Sequence, residues 1–278
     1  MSVDDQIEIR KIVRNSGSSF YWGMSVLNSE KKRAIFAVYA FCRVVDDIAD
    51  DTKIKNLKQS KLRSWKLKVE NIFKLQKPKT SLERELKFAI EKFKLEKDDF
   101  VSVIDGMLMD ANQDIKFPSK KRFELYCDRV AVAVGYLVIR IFGLSDINKN
   151  YAFFLGRAFQ LTNIVRDFYE DLERGRCYIA TNYLSRYGIK KNIKTIINEP
   201  KLQNIFQDIL KEADNYFNKA TMESKKIDKK KIIAAEIMKS FYNAIHSKLY
   251  NKEIRFKNKV KLGLIEKAYI LFIFFVRY

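Results

Sequence analysis

Three oxygen-bearing side chains recur at a fixed interval in one stretch of the chain. Asn163, Asp167 and Asp171 are four residues apart, so on a helix they lie on one face over about two turns. Two carboxylates one turn apart repel each other, and a structural helix gains nothing from that arrangement. A divalent cation between them removes the repulsion, and Mg2+ takes oxygen ligands while keeping part of its shell for substrate phosphates. The stretch therefore predicts a magnesium–phosphate site, although the same spacing also occurs on ordinary solvated helix faces.

A second acidic cluster lies far away, at residues 46–51, where the apolar stretch 34–45 ends. Asp46 and Asp50 are again one helical turn apart, and Arg43 lies one turn before Asp46. Acidic residues are unfavourable at a helix C-terminus because of the helix macrodipole. A solvated acidic helix end is one interpretation of this cluster. The presence of two such clusters in a strongly basic chain favours the other interpretation, a shared site for metal and diphosphate.

The composition favours long helices over strands. The chain has 278 residues, of which 47% are hydrophobic, which is ample for a sizeable core. It contains only 9 glycines and 3 prolines, so few hairpins can be drawn. We therefore expect an all-α protein in which residues 1–278 form a single domain. Apolar periodicity and turn signals predict helices at 4–15, 29–50, 58–76, 81–94, from 98 onward, 119–143, from 150 through the second cluster, 202–224 and 229–251.

The net charge of +20 has three functional interpretations. A strongly basic chain attracts anionic substrates, anionic membrane surfaces or nucleic acid. The lysines are scattered rather than clustered, so the bulk charge also fits a general compositional bias. No nucleic-acid-binding fingerprint occurs, and we expect no nucleic-acid partner. Arg174 and Arg176 are more informative, because with Tyr178 they form a basic and aromatic patch just after the second acidic cluster.

Cysteine and histidine usage excludes other kinds of metal site. Cys42, Cys127 and Cys177 are far apart and odd in number, which excludes a disulfide framework and suits a reducing cytoplasm. His246 is the only histidine, so a histidine-based metal cluster is also excluded. The first residues are polar and acidic, and we predict no signal peptide. These features together predict a cytoplasmic protein.

The C-terminal stretch 268–276 is strongly apolar. It is far shorter than the ~20 residues that a membrane-spanning helix needs. With the lysines that precede it, it fits an interfacial anchor that holds the protein peripherally on a membrane. It fits a packed terminal helix equally well, and both interpretations stay open.

Three stretches together resemble the squalene/phytoene synthase family. They are GSSFY at 17–21, YAFCRVVDDIAD at 39–50 and QLTNIVRDFYED at 160–171. They occur in the order and spacing of that family between about residues 15 and 185, and the final third follows the family only loosely. The resemblance implies an all-α isoprenoid-synthase helical bundle around a central apolar cavity. It also implies a prenyltransferase that condenses two prenyl diphosphates through their C1 ends.

Within that family the chain is most similar to the bacterial presqualene diphosphate synthases of the hopanoid pathway, through VIDGMLMD at 103–110 and YCDRVA at 126–131. This implies a Mg2+-dependent head-to-head condensation of two farnesyl diphosphates to presqualene diphosphate with release of diphosphate. No NADPH is expected for this first half-reaction. Phytoene and dehydrosqualene synthases of the same family are the alternatives. A non-catalytic, membrane-associated helical protein is the alternative of another class, and the two intact acidic clusters argue against it.

The resemblance also implies roles for particular residues. The metal would be held by carboxylates of both clusters and one amide, namely Asp46, Asp50, Asn163, Asp167 and Asp171. The four aspartates would act in catalysis together with Arg43, Arg166 and Tyr39. Substrate would contact hydroxyl, aromatic, small and basic side chains, namely Ser19, Phe20, Tyr21, Arg43, Tyr126, Arg129, Val134, Gly135, Gln160, Asn163, Arg166 and Tyr178. The alternatives are helix capping for the serine, core packing for each aromatic side chain and close helix packing for the small ones.

Overall fold

The computed structural model describes residues 3–51, 54–112, 115–251 and 259–277. Within these ranges the backbone is almost entirely helical, and its β-structure is limited to one isolated bridge between Lys116 and Cys177. The α-helices, numbered in chain order, are α1 (Val3–Asn15), α2 (Phe20–Ser25), α3 (Ser29–Asp50), α4 (Lys55–Phe73), α5 (Ser81–Phe93), α6 (Lys97–Asn112), α7 (Lys120–Cys127), α8 (Ala133–Ile141), α9 (Lys149–Arg166), α10 (Phe168–Glu173), α11 (Thr181–Tyr187), α12 (Leu202–Ser224), α13 (Lys229–Tyr250) and α14 (Leu264–Arg277). The predicted all-α class is confirmed.

Side-chain caps explain where several helices begin. The side chains of Asn28, Thr80 and Ser119 accept hydrogen bonds from the backbone N–H three residues later, at 3.0, 3.2 and 3.3 Å. Each of these bonds satisfies a donor that the first turn of a helix leaves free. At the other end, α11 stops at Gly188, whose φ of +68° suits a residue without a Cβ. Local polar residues therefore fix the helix bounds that apolar periodicity leaves approximate.

The sequence predicted that the second acidic cluster lies on one continuous helix, but the structure interrupts that helix. Helix α9 ends and α10 begins on either side of Asp167, whose φ and ψ are −99° and 3°. The amide of Asp167 still donates to the carbonyl of Asn163 at 2.8 Å, and that of Asp171 donates to the carbonyl of Asp167 at 2.9 Å. The three side chains therefore stay one turn apart, although the helix is distorted between them.

Two hydrophobic clusters form the core. The first contains the apolar face of α3, with helices α1, α5 and α6 against it. The second lies around α9, α11, α12 and α13, and the packing of α9 on α12 is the most extensive between any two elements described. Val130 and Tyr216 pack against both clusters. Core packing of α3 and of α9 thus fixes the position of the acidic residues at the end of each helix.

A π-helical turn, Asp128–Val132, joins α7 to α8 where glycines permit close approach. A Cβ on Gly106 of α6 would lie 2.6 Å from the Cγ1 atom of Val130. A Cβ on Gly156 of α9 would lie 3.1 Å from the carbonyl oxygen of Ala131. The π turn is therefore wedged between α6 and α9, in a position that larger side chains on either helix would not allow.

Helix α14 presents different apolar residues on its two faces. Ile270, Leu271 and Phe274 pack against the second core cluster. Tyr269 and Phe272 lie on the opposite face and are 64% and 65% exposed. The stretch 268–276 is thus both a packed terminal helix and the carrier of an exposed apolar face. In the described part of the chain, no helix combines the length and apolar character that crossing a membrane would require.

Replacing Gly156 with leucine tests the packing of the π turn. The new side chain would meet backbone atoms of Ala131 and Val132 that have no room to move. We expect the free energy of unfolding to fall by about 1–3 kcal/mol, measured by urea denaturation. Gly263→Leu is the control, because its Cβ would approach only a flexible carboxylate oxygen of Glu266, at 3.7 Å. Equal unfolding midpoints for the two variants would contradict this account of the packing.

Candidate active site

A cavity of about 580 Å3 lies between the C-terminal end of α3 and the junction of α9 and α10. Asp46 and Asp50 line it from α3, and Asp167 and Asp171 line it from the other side. Part of its wall is formed by Val103 and other apolar side chains from α6, the π turn and α8. Two acidic clusters that are far apart in the sequence therefore face the same space.

Most of the residues that the sequence analysis assigned to the site line this cavity. The members of the predicted set found in its wall are Ser19, Phe20, Tyr39, Arg43, Asp46, Asp50, Tyr126, Val134, Gln160, Asn163, Arg166, Asp167, Asp171 and Tyr178. Ser19 makes no side-chain cap to α2, so its hydroxyl is not used at the helix N-terminus. The placement of these residues is consistent with the predicted roles, and the roles themselves stay predictions.

Three predicted substrate contacts are not among the cavity-lining residues. Tyr21 stacks on Phe36 with ring centroids 5.9 Å apart, because it follows Phe20 by one position and so faces another side of α2. A Cβ on Gly135 would lie 3.1 Å from the carbonyl oxygen of Ala152, so the glycine serves the packing of α8 on α9. Arg129 lies in the π turn with its Cβ against α6, 3.1 Å from where a Cβ on Gly106 would be.

Two arginines tie the first acidic cluster to the second. Arg174 and Arg176 follow α10, and both donate to the carboxylate of Asp50, at 2.7 and 2.6 Å. Arg176 also donates to the carbonyl oxygen of Ala49 at 2.9 Å and is only 5% exposed. Charge-assisted bonds of this kind are short and strong. They hold the end of α3 against the segment that follows α10.

The second cluster has its own counter-ions. Arg166 binds both oxygens of Asp167, through Nε at 2.8 Å and Nη2 at 2.7 Å. Lys259 lies 3.0 Å from the same carboxylate and 2.9 Å from that of Glu170. Glu170 in turn accepts from Arg174 at 2.9 Å. In each acidic cluster, one of the two predicted metal-binding carboxylates is thus paired with two cations.

The other carboxylate of each cluster has a raised pKa. Burial and the neighbouring Asp50 raise the pKa of Asp46 to about 7, even though Arg43 lies 3.3 Å away. Burial and the neighbouring Asp167 raise the pKa of Asp171 to about 8. By contrast, the hydrogen bonds from Arg166 outweigh burial and lower the pKa of Asp167. Perturbed carboxylates that share one cavity mark a functional site rather than a solvated helix face.

A further carboxylate, Asp110, lies at the cavity and was not predicted. It is 4% exposed and accepts hydrogen bonds from the hydroxyls of Tyr126 at 3.0 Å and Tyr178 at 2.8 Å. The two tyrosine rings stack with centroids 4.9 Å apart. Burial raises the pKa of Asp110 to about 6. Its sequence signal is the one that revealed Asp46, an acidic residue at the end of an apolar helical stretch.

An aromatic wall encloses one side of the cavity. Phe20 stacks on Tyr242 with centroids 5.4 Å apart, and Tyr242 stacks on Phe159 at 4.1 Å. The hydroxyl of Tyr242 donates to the side-chain oxygen of Asn163 at 3.0 Å. Tyr242 and Lys259 had no signal in the sequence, since they lie in the final third of the chain and belong to no motif that we identified.

The donor set fits a divalent cation bound together with a phosphate. Aspartate carboxylates and the amide of Asn163 supply the hard oxygen ligands that Mg2+ takes. Within the ranges that the structure describes, the His, Cys, Asp and Glu side chains do not form a preassembled group of three or more that could hold a metal ion. Counter-ions occupy Asp50 and Asp167 instead. Loading of a metal therefore requires ion pairs to be exchanged.

The chain is similar in sequence to proteins of one family. A family profile described as squalene/phytoene synthase matches residues 13–266. The presqualene diphosphate synthase of Zymomonas mobilis is 37% identical over 84% of this chain and 80% of its own length. That of Rhodopseudomonas palustris is 34% identical over 92% of both chains. Phytoene synthases are more distant relatives, at 29–32% identity.

The fold is also similar to that of solved structures. A crystal structure of a dehydrosqualene synthase in complex with a ligand superposes with a TM-score of 0.84 and is 25% identical. The superposition covers 99% of this chain and 96% of that one. The predicted isoprenoid-synthase architecture is therefore confirmed over almost the whole chain.

The raised pKa of Asp171 predicts that the metal-free protein becomes less stable to unfolding as the pH rises. A carboxyl whose pKa is higher in the folded chain than in the unfolded chain binds its proton more tightly when folded. Its stabilising contribution is present at low pH and is lost as pH rises from about 4, the unfolded pKa, towards about 8. We expect Asp171→Asn to raise the melting temperature by about 2–6 °C at pH 9 and to change it little at pH 5.

Differential scanning calorimetry without divalent metal measures this difference. Asp214→Asn on the exposed face of α12 is the matched control and should leave the melting temperature similar at both pH values. A destabilising effect of Asp171→Asn at pH 9 would contradict the raised pKa.

Proposed function

The chain belongs to the squalene/phytoene synthase family, and from that premise we propose that it condenses two molecules of farnesyl diphosphate to presqualene diphosphate. It is thus a prenyltransferase, as the sequence predicted. The support for the substrate is the similarity to presqualene diphosphate synthases over most of the chain, against the greater distance of the phytoene synthases. The geometric observation that carries the proposal is the convergence of Asp46, Asp50, Asp167 and Asp171 on one cavity whose wall also includes apolar side chains.

We propose that the two acidic clusters, with Asn163, hold Mg2+. When bound there, the metal ion would act as a Lewis acid on the diphosphate oxygens and neutralise their charge. The chain supplies further positive charge through Arg43 and Arg166, which line the cavity. Arginine can bind phosphate oxygens in bidentate fashion. Arg176 adds a buried Nε for which no hydrogen-bond partner is found among the described residues.

In the proposed reaction, the charged part of the cavity binds the diphosphate groups and the apolar part binds the prenyl chains. The C1–O bond of the first substrate breaks, diphosphate leaves, and an allylic cation remains. The C2–C3 double bond of the second substrate attacks this cation, and loss of a proton, for which we propose the released diphosphate as acceptor, closes the cyclopropane. Exclusion of water protects the cation. The aromatic rings of Phe20 and Tyr39, which line the cavity, can stabilise it in passing.

We further propose that the protein binds membrane surfaces peripherally through α14. Its outward face carries Ile265, Tyr269, Phe272 and Val276, which recur at helical spacing and are at least 64% exposed. Lys261 and Lys267 lie near the start of this helix and also line the cavity. A basic rim beside an apolar helix face suits an anionic lipid surface. The cytoplasmic location predicted from the free thiols stays a prediction.

Product analysis tests the proposed reaction. Purified protein with Mg2+ should convert farnesyl diphosphate to presqualene diphosphate without NADPH, as identified by mass spectrometry. Geranylgeranyl diphosphate should be turned over much less. Preferred turnover of geranylgeranyl diphosphate would instead indicate a phytoene synthase, and no turnover of either would indicate a non-catalytic protein.

Asp46→Ala and Asp167→Ala test the assigned carboxylates. Each should lower turnover by several orders of magnitude while the far-ultraviolet circular dichroism spectrum stays the same, because both residues act on substrate charge rather than in the core. Asp214→Ala, exposed on α12, is the control and should retain full turnover. Near-wild-type turnover in either cavity variant would refute its role.

Co-sedimentation with vesicles tests the membrane surface. The double variant Tyr269→Ser with Phe272→Ser should bind phosphatidylglycerol vesicles about ten-fold or more weakly, because two apolar side chains no longer enter the lipid. Ile147→Ser is the control, since that side chain is 85% exposed but lies outside α14. Equal binding of the double variant and the wild type would contradict the proposal.

A further inference from the structure

A chain of ion pairs runs along the cavity from one acidic cluster to the other. Arg174 bridges Asp50, at 2.7 Å, and Glu170, at 2.9 Å. Lys259 bridges the second oxygen of Glu170, at 2.9 Å, and Asp167, at 3.0 Å. We call these five residues the ion-pair chain. Glu170 is its centre, because each of its two oxygens holds one cation.

Lys259 belongs to the segment that connects towards α14, and two contacts hold the residues that follow it. Leu262 is 6% exposed and packs in the second core cluster, and the ammonium of Lys248 donates to the carbonyl oxygen of Lys261 at 3.4 Å. The side chain of Lys259 is 34% exposed and lines the cavity. Its backbone is therefore anchored, while its ammonium lies at the solvent-accessible edge of the carboxylates.

Lys259 uses an oxygen that a metal ion at Asp167 would need. Arg166 and Lys259 together occupy the carboxylate of Asp167, and Lys259 is the more exposed of these two cations, at 34% against 17%. An exposed ion pair is weak and exchanges readily, whereas a buried bidentate pair does not. Lys259 is therefore the counter-ion that can leave at least cost. Glu170 is already within contact of its ammonium and can keep it.

We propose that Lys259 is a positioning residue for the metal-binding carboxylates, which neutralises Asp167 while the metal is absent and is retained by Glu170 when a divalent cation takes its place. The inference rests on the metal site of the proposed function. The role is distinct from catalysis, since Lys259 acts through Asp167. Binding of a divalent cation at Asp167 would then depend on competition between that cation and the ammonium group of Lys259.

Binding of Mn2+ to the full-length protein, followed by electron paramagnetic resonance without prenyl diphosphate, tests this exchange. Lys259→Gln should tighten Mn2+ binding about three- to ten-fold, because the competing ammonium is gone. Lys259→Arg keeps a cation on Asp167 and should stay within about two-fold of the wild type. Lys267→Gln removes an equal charge from another cavity-lining position and should also stay within about two-fold. Unchanged binding in Lys259→Gln, or equal tightening in Lys267→Gln, would overturn the proposal.

A double-mutant cycle tests the part played by Glu170. In the wild-type background, Glu170→Gln should weaken Mn2+ binding about three-fold, since Lys259 then pairs with Asp167 alone. In the Lys259→Gln background the same change should have a smaller effect, and this non-additivity is the signature of a shared cation. Glu173→Gln, an exposed residue on α10, controls for the loss of charge. Additive effects of the two substitutions would overturn the retention of Lys259 by Glu170.

Asp171→Asn separates failure of this inference from failure of the metal site. It should abolish Mn2+ binding if the ion occupies the acidic clusters. Mn2+ binding that Asp171→Asn leaves unchanged would overturn the metal site of the proposed function and this inference with it. Mn2+ binding that depends on Asp171 but not on Lys259 would overturn the inference alone.

Discussion

The structure depends on the compensation of negative charge at the cavity where the two acidic clusters meet. Four aspartates from two distant segments lie there, and like charges in a partly buried space repel one another strongly. Arg176, which is nearly buried, binds Asp50 and the end of α3 together and so joins the two segments. Arg166 neutralises Asp167 from the adjacent position within one segment. The acidic helix ends can lie close together because these cations reduce the repulsion between their carboxylates.

This compensation is incomplete. Asp46 and Asp171 keep raised pKa values because burial and a like-charged neighbour outweigh the cations nearby. A chain selected for stability alone would replace such residues, since stability and activity trade off at sites of this kind. We propose that a divalent cation with its anionic ligand displaces the protons of these carboxyls. On that proposal, the arrangement that lowers stability in the metal-free protein is the one that receives diphosphate.

Much of this site was predictable from the sequence, for an identifiable reason. The one-turn spacing of paired carboxylates does not stabilise a helix without a ligand, and this spacing identified Asp46, Asp50, Asp167 and Asp171. Lys259 and Tyr242 could not be assigned in this way, because each is brought to the cavity by tertiary packing rather than by a local motif. Asp110 carries the same signal as Asp46, an acidic residue at the end of an apolar helical stretch, and was not assigned. Tyr21 and Gly135, which were predicted to contact substrate, are not among the cavity-lining residues. Both were assigned to the site, but Tyr21 packs against Phe36 of the core and Gly135 permits the close packing of α8 on α9.

Anomalous diffraction from crystals of the protein grown with Mn2+ and a non-hydrolysable thio analogue of farnesyl diphosphate would locate the metal directly. We expect manganese peaks within ligand distance of Asp46 or Asp50 on one side and Asp167 or Asp171 on the other, with Lys259 displaced from Asp167. Manganese bound elsewhere, or a diphosphate group that occupies the cavity without metal between the two clusters, would contradict this expectation.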